Sequence, residues 1–267
     1  MAAQKNYTWD AKDYGINSQN QYAWATELLA KLKLSGDESV IDIGCGEGKI
    51  TSELARAVPN GRVVGIDSSE QMVQRAKSSF SDEQQPNLHF ELMDARKLNF
   101  QEEFDVAFSN AALHWILDQK SVLSGVKRSL RSGGKLMFQM AGQGNAKAIL
   151  DILAELLSLS YWRSHFEDFK FPYAFLTPNE YKNLLSEAGL TVVRVEKIPK
   201  DMKFDSAIGL AGWIRTTWLP YTQRLPKKQQ TKFINEIAQT YLRLNPPDAK
   251  GIIHLDMVRL EVEAKKP

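Results

Sequence analysis

The sequence predicts a doubly wound α/β fold: a seven-stranded, mostly parallel sheet with a helical cap inserted between the last two strands. Three observations carry that expectation. Short apolar runs rich in β-branched residues alternate with helical stretches through the first half of the chain. A glycine-spaced turn, "VIDIGCGEGKIT" (40–51), joins the first of those strands to its helix. A helical excursion of roughly 50 residues separates the last two strands, too long for a simple turn.

In chain order, "YAWATELLAKLKL" (22–34) has helical spacing. "SVIDIG" (39–44) reads as a buried strand, and "GKITSELARAV" (48–58) places Ile50, Leu54 and Val58 on one helical face. "RVVGID" (62–67), "SEQMVQRAKSSF" (69–80) and "LHFELMD" (88–94) continue as strand, helix and strand. "FDVAFSNAALHW" (104–115) starts as the fourth strand and leaves it as a loop or short helix. A helix then runs to Gly133-Gly134 and a fifth strand follows. Parallel neighbours need crossovers, so repeated strand–helix units imply helices on both faces of the sheet.

The second half changes character. A helix (145–159) gives way to an irregular, aromatic stretch, "YWRSHFEDFKFPYAFLTP". "TPNEYKNLLSEAGL" carries a capping box, Thr177 with Glu180, with proline at the first helical position and Gly189 as the stop. "TVVRVEKI" is the sixth strand, two helices are expected between Lys200 and Lys250, and "IIHLDMVRLEVEA" alternates as the last strand.

The bulk numbers exclude several classes. Of 267 residues 43% are hydrophobic and 25% charged, and the formal net charge of +2 leaves no electrostatic footprint for nucleic acid or an anionic membrane. The single cysteine, Cys45, rules out an intrachain disulfide and a multi-cysteine metal site, and the scattered histidines suggest no metal. The N-terminus lacks a signal-peptide core and no run approaches the ~18 apolar residues of a membrane span. A cytoplasmic protein, monomeric or weakly dimeric, is expected.

The glycine loop poses a choice of ligand. Its spacing is G-x-G-x-G (Gly44, Gly46, Gly48), where a dinucleotide site has G-x-G-x-x-G. Asp42 decides more, because a carboxylate there repels a pyrophosphate and favours an ammonium. S-adenosylmethionine has an ammonium, a carboxylate and a sulfonium, and no phosphate. Asp42 could instead simply cap the following turn. Asp67 ends the second strand, Asp94 and Ala95 the third, and Asn110 the fourth, so with Asp42 on the first, four polar residues fall at successive strand ends, the edge where open α/β sheets bind ligands.

"VIDIGCGEG", "VVGIDSS", "LMDAR" and "FSNAALHW" resemble the successive motifs of class I S-adenosylmethionine-dependent methyltransferases, over roughly residues 38–142. "NAALHWILD" and "AIGLAGWIRTTWLPYTQRL" are similar, more loosely, to trans-aconitate 2-methyltransferases and their small-molecule relatives. The resemblance implies a Rossmann-like methyltransferase fold and S-adenosylmethionine contacts at Asp42, Gly44, Gly46, Asp67, Ser68, Met72, Asp94, Ala95 and Asn110, with Tyr14 and Gln19 folding over the cofactor. The expected division is a helical lid segment (1–37), a cofactor-binding core (38–199), a helical substrate cap (200–250) and a final core strand (251–267).

The acceptor side rests on fewer signals. His114 could act as a base or, with Trp115, shape a pocket wall. Arg215 stands among Trp213, Trp218 and Tyr221, and an arginine fork suits a substrate carboxylate, although its stem could as well cover apolar surface. O-methylation of a small carboxylate or similar polar acceptor is therefore expected. A C- or N-methyltransferase on an apolar metabolite, a protein or RNA methyltransferase and a non-catalytic binding protein are the alternatives. An "NPPY"-like amine-methylating motif is absent, "NAAL" standing in its place.

Overall fold

A computed structural model describes residues 7–17, 19–81 and 83–267, the side chain of Tyr14 excepted. Seven strands form one open sheet: β1 (Ser39–Ile43), β2 (Arg62–Asp67), β3 (Leu88–Leu92), β4 (Phe104–Asn110), β5 (Leu130–Ala141), β6 (Thr191–Phe204) and β7 (Ile253–Lys265). Their order is β3-β2-β1-β4-β5-β7-β6. β1 pairs in parallel with β2 and β4, β2 with β3 and β4 with β5, whereas β7 is antiparallel to β5. Because β1 lies between β2 and β4, the strand order reverses there, and ligands of such sheets bind outside the strand C-termini at that reversal.

The helices are α1 (Ala11–Asn17), α2 (Gln19–Lys31), α3 (Lys49–Ala57), α4 (Glu70–Ser79), α5 (Gln119–Ser129), α6 (Lys147–Ser158), α7 (Ser160–Arg163), α8 (Pro178–Glu187), α9 (Ala207–Thr217), α10 (Leu219–Thr222) and α11 (Lys227–Leu244). The chain divides into two compact units. A core unit holds Gln21–Gln143, Tyr173–Ile198 and Val258–Pro267; a cap unit holds Gly144–Pro172, Pro199–Met257 and the described residues up to Asn20. The expected boundaries at 37/38, 199/200 and 250/251 fall in this division at 20/21, 198/199 and 257/258, with 144–172 joined to the cap unit.

In the core unit, strand alternation sends side chains to two apolar clusters. Ile41, Ile43, Val64, Ile66 and Phe138 join residues of α5 and α8 in one; Val40, Val63, Val106, Phe108 and Met137 join residues of α2, α3 and α4 in the other. The capping box of α8 is present as the sequence predicts, Thr177 and Glu180 each bonding the other's backbone N–H. One helix end differs from expectation. α5 stops at Ser129 and not at Gly133-Gly134, because Leu130 is fully buried and already pairs with Phe104. The two glycines instead serve the register shift before Lys135 pairs with Val106, where Gly133 has a φ of 78°.

Under α2 lies a charged cluster. The Glu261 side chain is fully buried and accepts from Lys31 Nζ at 2.7 and 2.8 Å, from Arg194 at 3.0 Å and from Gln139 Nε2 at 3.1 Å. Burial pushes its carboxyl up, but the bonds from Lys31 and Arg194 outweigh that and hold it below the ordinary glutamate range.

The cap unit is packed with rings. Trp162 meets Phe233 edge-on at 4.9 Å, Phe169 contacts Tyr221 at 4.5 Å, and Trp213 and Trp218 meet edge-on at 5.9 Å. Gly212 lets α9 approach α1, since a Cβ there would stand 2.2 Å from Asn17 Oδ1. Where two helices are expected between 200 and 250, three form, because the chain turns at Trp218 and Pro220 sits in the first turn of α10.

Replacing Glu261 by Gln should destabilise the protein by about 1–2 kcal/mol in denaturant unfolding, less than a fully buried charge because Lys31 is partly exposed. Since the folded-state carboxyl is depressed, the wild type should lose this contribution as pH falls below the ordinary glutamate range, and the variant should not.

Candidate active site

The C-terminal edge of the core unit gathers most of the polar positions singled out in the sequence. β1 runs into a loop fixed to β2: the Gly44 and Cys45 amides both donate to Ile66 O, at 2.8 and 2.9 Å. Gly44 has a φ of 77°, and a Cβ on it would stand 2.2 Å from Ala112 Cβ, so no other residue fits. Gly46 has a φ of 55°, but a Cβ there would meet nothing within 4 Å; the space over this stretch of backbone is open. The Gly46 amide donates to Asp67 Oδ2 at 3.0 Å, while Asp67 Oδ1 accepts from Ser69 N at 2.8 Å.

Asp42 is only 3% exposed and faces α3, where Thr51 Oγ1 donates to it at 2.7 Å. Burial above all, with the charge of Asp67 adding and the Thr51 bond opposing, pushes its carboxyl up to about 7. Burial also raises Asp67, against the lowering effect of the loop amides. Asp94 caps the short helix Ala95–Lys97 and accepts from Arg96 N and Nε, both at 2.9 Å; that bond to Arg96 lowers its carboxyl. Ala95 is buried, Ser68 is exposed, and Met72 is buried with its amide on Ser69 Oγ.

Beyond β4 the backbone is strained: Ala111, which is not glycine, has a φ of 55°. This turn places Ala112 against Gly44 and leads into the short helix Leu113–Trp115. Asn110 Nδ2 donates to Gln21 O at 3.3 Å, tying β4 to α2. His114 is 9% exposed, accepts at Nδ1 from Ala141 N at 3.4 Å, and has the rings of Trp115, Tyr173 and Phe175 within 5.8–6.3 Å. Burial, assisted by the charge of Arg259, pushes its pKa down to about 3, so the ring is neutral at physiological pH.

Sequence reading passes over two residues here. Gln21 is buried on α2, and its Oε1 has no hydrogen-bond partner among the described residues. Gln19, named in its place, is exposed; the helical phase of "NSQNQYAWATELL" is the signal that separates them. Arg259 is 4% exposed and holds its guanidinium carbon 4.5 Å from the centroid of the Trp24 ring.

The remaining expectations fall in the cap unit. Arg215 forms a bidentate pair with Asp13, Nε and one terminal nitrogen each at 2.7 Å, which uses the donors a substrate carboxylate would take. Trp213, Trp218 and Tyr221 are buried among the cap's own rings. The side chain of Tyr14 lies outside the described residues. Among the described residues, no cluster of histidine, cysteine and carboxylate side chains could hold a metal, and no helix is long and apolar enough to cross a membrane.

A doubly wound sheet with acids and a glycine loop at its switch point defines a nucleoside-binding class. Residues 34–189, more than half of the chain, match the family described as "Methyltransferase domain". An uncharacterized methyltransferase of Schizosaccharomyces pombe is 34% identical over 97% of this chain and 98% of its own length. A trans-aconitate 2-methyltransferase of Deinococcus radiodurans is 31% identical over 85% of this chain and 88% of its own. Among solved structures, the YcgJ protein from Bacillus subtilis superposes with a TM-score of 0.63 at 17% identity, over 92% of this chain and 98% of that one. The Haemonchus contortus phosphoethanolamine N-methyltransferase 2, in complex with S-adenosyl-L-methionine, does so at 0.61 and 16%, over 96% and 56%. The chain belongs to the methyltransferase domain family and is an S-adenosylmethionine-dependent methyltransferase.

Thr51→Val should strip the buried Asp42 carboxyl of its hydroxyl donor and cost about 1–3 kcal/mol of stability by thermal or denaturant unfolding. Thr51→Ser, which keeps the donor, should lose less than half of that.

Proposed function

We propose that this enzyme methylates a carboxylate oxygen of a small acid, with S-adenosylmethionine lying along the C-terminal edge of β1, β2 and β4. The observation that carries the acceptor chemistry is the buried, neutral His114. With its pKa near 3, taking a proton from a phenol of pKa about 10 is uphill by roughly 10 kcal/mol. A carboxylate is already ionised at neutral pH and asks for no base. The names of the Deinococcus and other trans-aconitate 2-methyltransferases, 27–31% identical to this chain, support the same class of acceptor.

The residues at the edge fit the cofactor. Asp42 and the orphaned Gln21 Oε1 offer buried acceptors to an ammonium, and the open space over Gly46 admits a ligand close to the backbone. Asp67, with Ser68 and Met72 beside it, would take the ribose hydroxyls; Asp94 and Ala95 would border the adenine, and Asn110 would close the edge at β4. The bound cofactor supplies a methyl group on a cationic sulfur. What the chain adds is orientation and dryness: the rings of Trp115, Tyr173 and Phe175 exclude water around His114, which walls the acceptor site and leaves protons alone.

Purified protein supplied with methyl-labelled cofactor should form base-labile methyl esters from a panel of small acids. His114→Gln, which keeps an acceptor for the Ala141 amide, should hold kcat within about tenfold, with a flat profile between pH 6 and 9. A loss of more than a hundredfold with a sloping profile would mean that the acceptor needs deprotonation.

Cofactor binding should itself depend on pH. An ammonium beside Asp42 favours the ionised carboxyl, so the bound-state pKa lies below about 7. Affinity should therefore rise with pH and level off above 7, with proton release detectable by calorimetry in buffers of different ionisation enthalpy. Asp42→Asn should flatten that dependence and weaken binding by about 1.5–3 kcal/mol.

A further inference from the structure

We propose that Gln119 is the positioning residue of the acceptor wall: its side-chain amide fixes the two backbone carbonyls that flank His114 and Trp115 and so aims their rings. The inference rests on the acceptor site proposed above. Gln119 opens α5 and is 3% exposed. Its Nε2 donates to Leu113 O at 2.8 Å and to Ile116 O at 2.5 Å, the carbonyls on either side of the His114-Trp115 pair. The hydroxyl of Tyr181, fully buried on α8, donates to Gln119 Oε1 at 3.3 Å. Burial pushes that phenol up, so the hydroxyl keeps its proton and remains a donor. The amide therefore has one orientation, since turning it over would set its oxygen against two carbonyl oxygens.

A three-residue 3-10 turn has few hydrogen bonds of its own, and those of poor geometry, with which to hold two rings at a set angle. One NH2 group supplies the restraint by using both of its hydrogens on the turn. The other half of the wall is tied to the same residue. Tyr173 and Phe175 lie on the segment that runs into α8, and Ala174 N within it donates to His114 O at 2.8 Å. From there α8 returns through Tyr181 to Gln119. The 113–116 turn, the 173–175 segment and the first turns of α5 and α8 thus form a closed ring of contacts. A buried amide is costly unless its groups are paired, and a fully paired one specifies a single geometry. Geometry is what the wall contributes, since a misplacement of about 1 Å costs on the order of a hundredfold in rate.

The test compares Gln119→Met, similar in length and without donors, with the wild type as full-length enzyme. Calorimetry with S-adenosylhomocysteine should give an affinity within about twofold and counts the folded sites. Per such site, kcat on a small-acid acceptor should fall about thirtyfold or more, while KM stays within about threefold. In the free protein, the His114 ring, identified by its loss in His114→Gln, titrates at about 3 in the wild type. In Gln119→Met it should titrate above about pH 5 by nitrogen NMR, because water reaches it. Tyr181→Phe removes only the hydroxyl that supports Oε1 and should lower kcat in the same direction, about three- to tenfold. Should the methionine variant fail to bind the product and so be misfolded, Tyr181→Phe decides by whether its kcat falls. A merely structural Gln119 would lower the melting temperature and leave kcat per binding site unchanged. That result, a change confined to KM, or a His114 ring that titrates as in the wild type would overturn the assignment. If the wild type methylates no small acid, the carboxylate reading falls, and the His114 titration alone decides the role of Gln119.

Discussion

The loop at the head of the sheet depends on one carboxylate. Asp67 ends β2 and accepts from Gly46 of the β1–α3 loop with one oxygen and from Ser69, the N-cap of α4, with the other. It therefore sets where two helices begin and holds the glycine loop down against β2, together with Ile66 O. The left-handed turns at Gly44, Gly46 and Gly48 follow from that constraint, since the chain must leave β1, cross the head of β2 and enter α3 within five residues. Gly44 also accommodates Ala112 from the strained turn after β4, so the loop is clamped from both neighbours of β1. The desolvation that this tight packing imposes is what raises Asp42 and Asp67 towards neutrality.

Much of this was legible in the sequence because it is local. The glycine spacing, a polar residue at or near the end of each of the first four strands and the capping box of α8 are each written within a few residues of sequence, and those polar residues lie along one edge of the sheet. Legibility stops where contacts are long-range. Nothing near Arg215 announces that its fork is taken by Asp13, some two hundred residues earlier. Nothing near Gly133 says that the buried Leu130 has already ended the helix. Arg259 and Glu261 left a fainter trace. In "HLDMVRLEVEA" they share the parity of Leu255 and Met257, whose side chains are buried, so two charges continue a buried face of the strand. Buried charges are costly unless paired or used. Glu261 proves to be paired, and Arg259 lies over the Trp24 ring.

Within the core unit the charges at the edge are sorted by sign. Acids, Asp42 and Asp67, line the side built by β1 and β2; a guanidinium, Arg259, stands where β5 meets β7, with a ring at His114 that its charge helps to keep neutral. A uniform field would serve one ligand and repel the other. The sorted one suits the proposed pair of opposite charge, an ammonium-bearing cofactor and an anionic acceptor.

That arrangement also bears on rate in the proposed reaction. Attack of a carboxylate on a methylated sulfonium begins with two opposite charges and ends with an ester and a neutral thioether. Water stabilises the separated charges of the reactants more than the transition state, in which they are partly cancelled, so removing water lowers the barrier. The aromatic wall of Trp115, Tyr173 and Phe175 around a neutral imidazole is chemistry of that kind: apolar, without a competing charge, and unable to protonate the nucleophile. A charged histidine in the same place would stabilise the carboxylate before reaction and lose that stabilisation as the ester forms. Holding His114 neutral therefore acts on the ground state of the proposed acceptor.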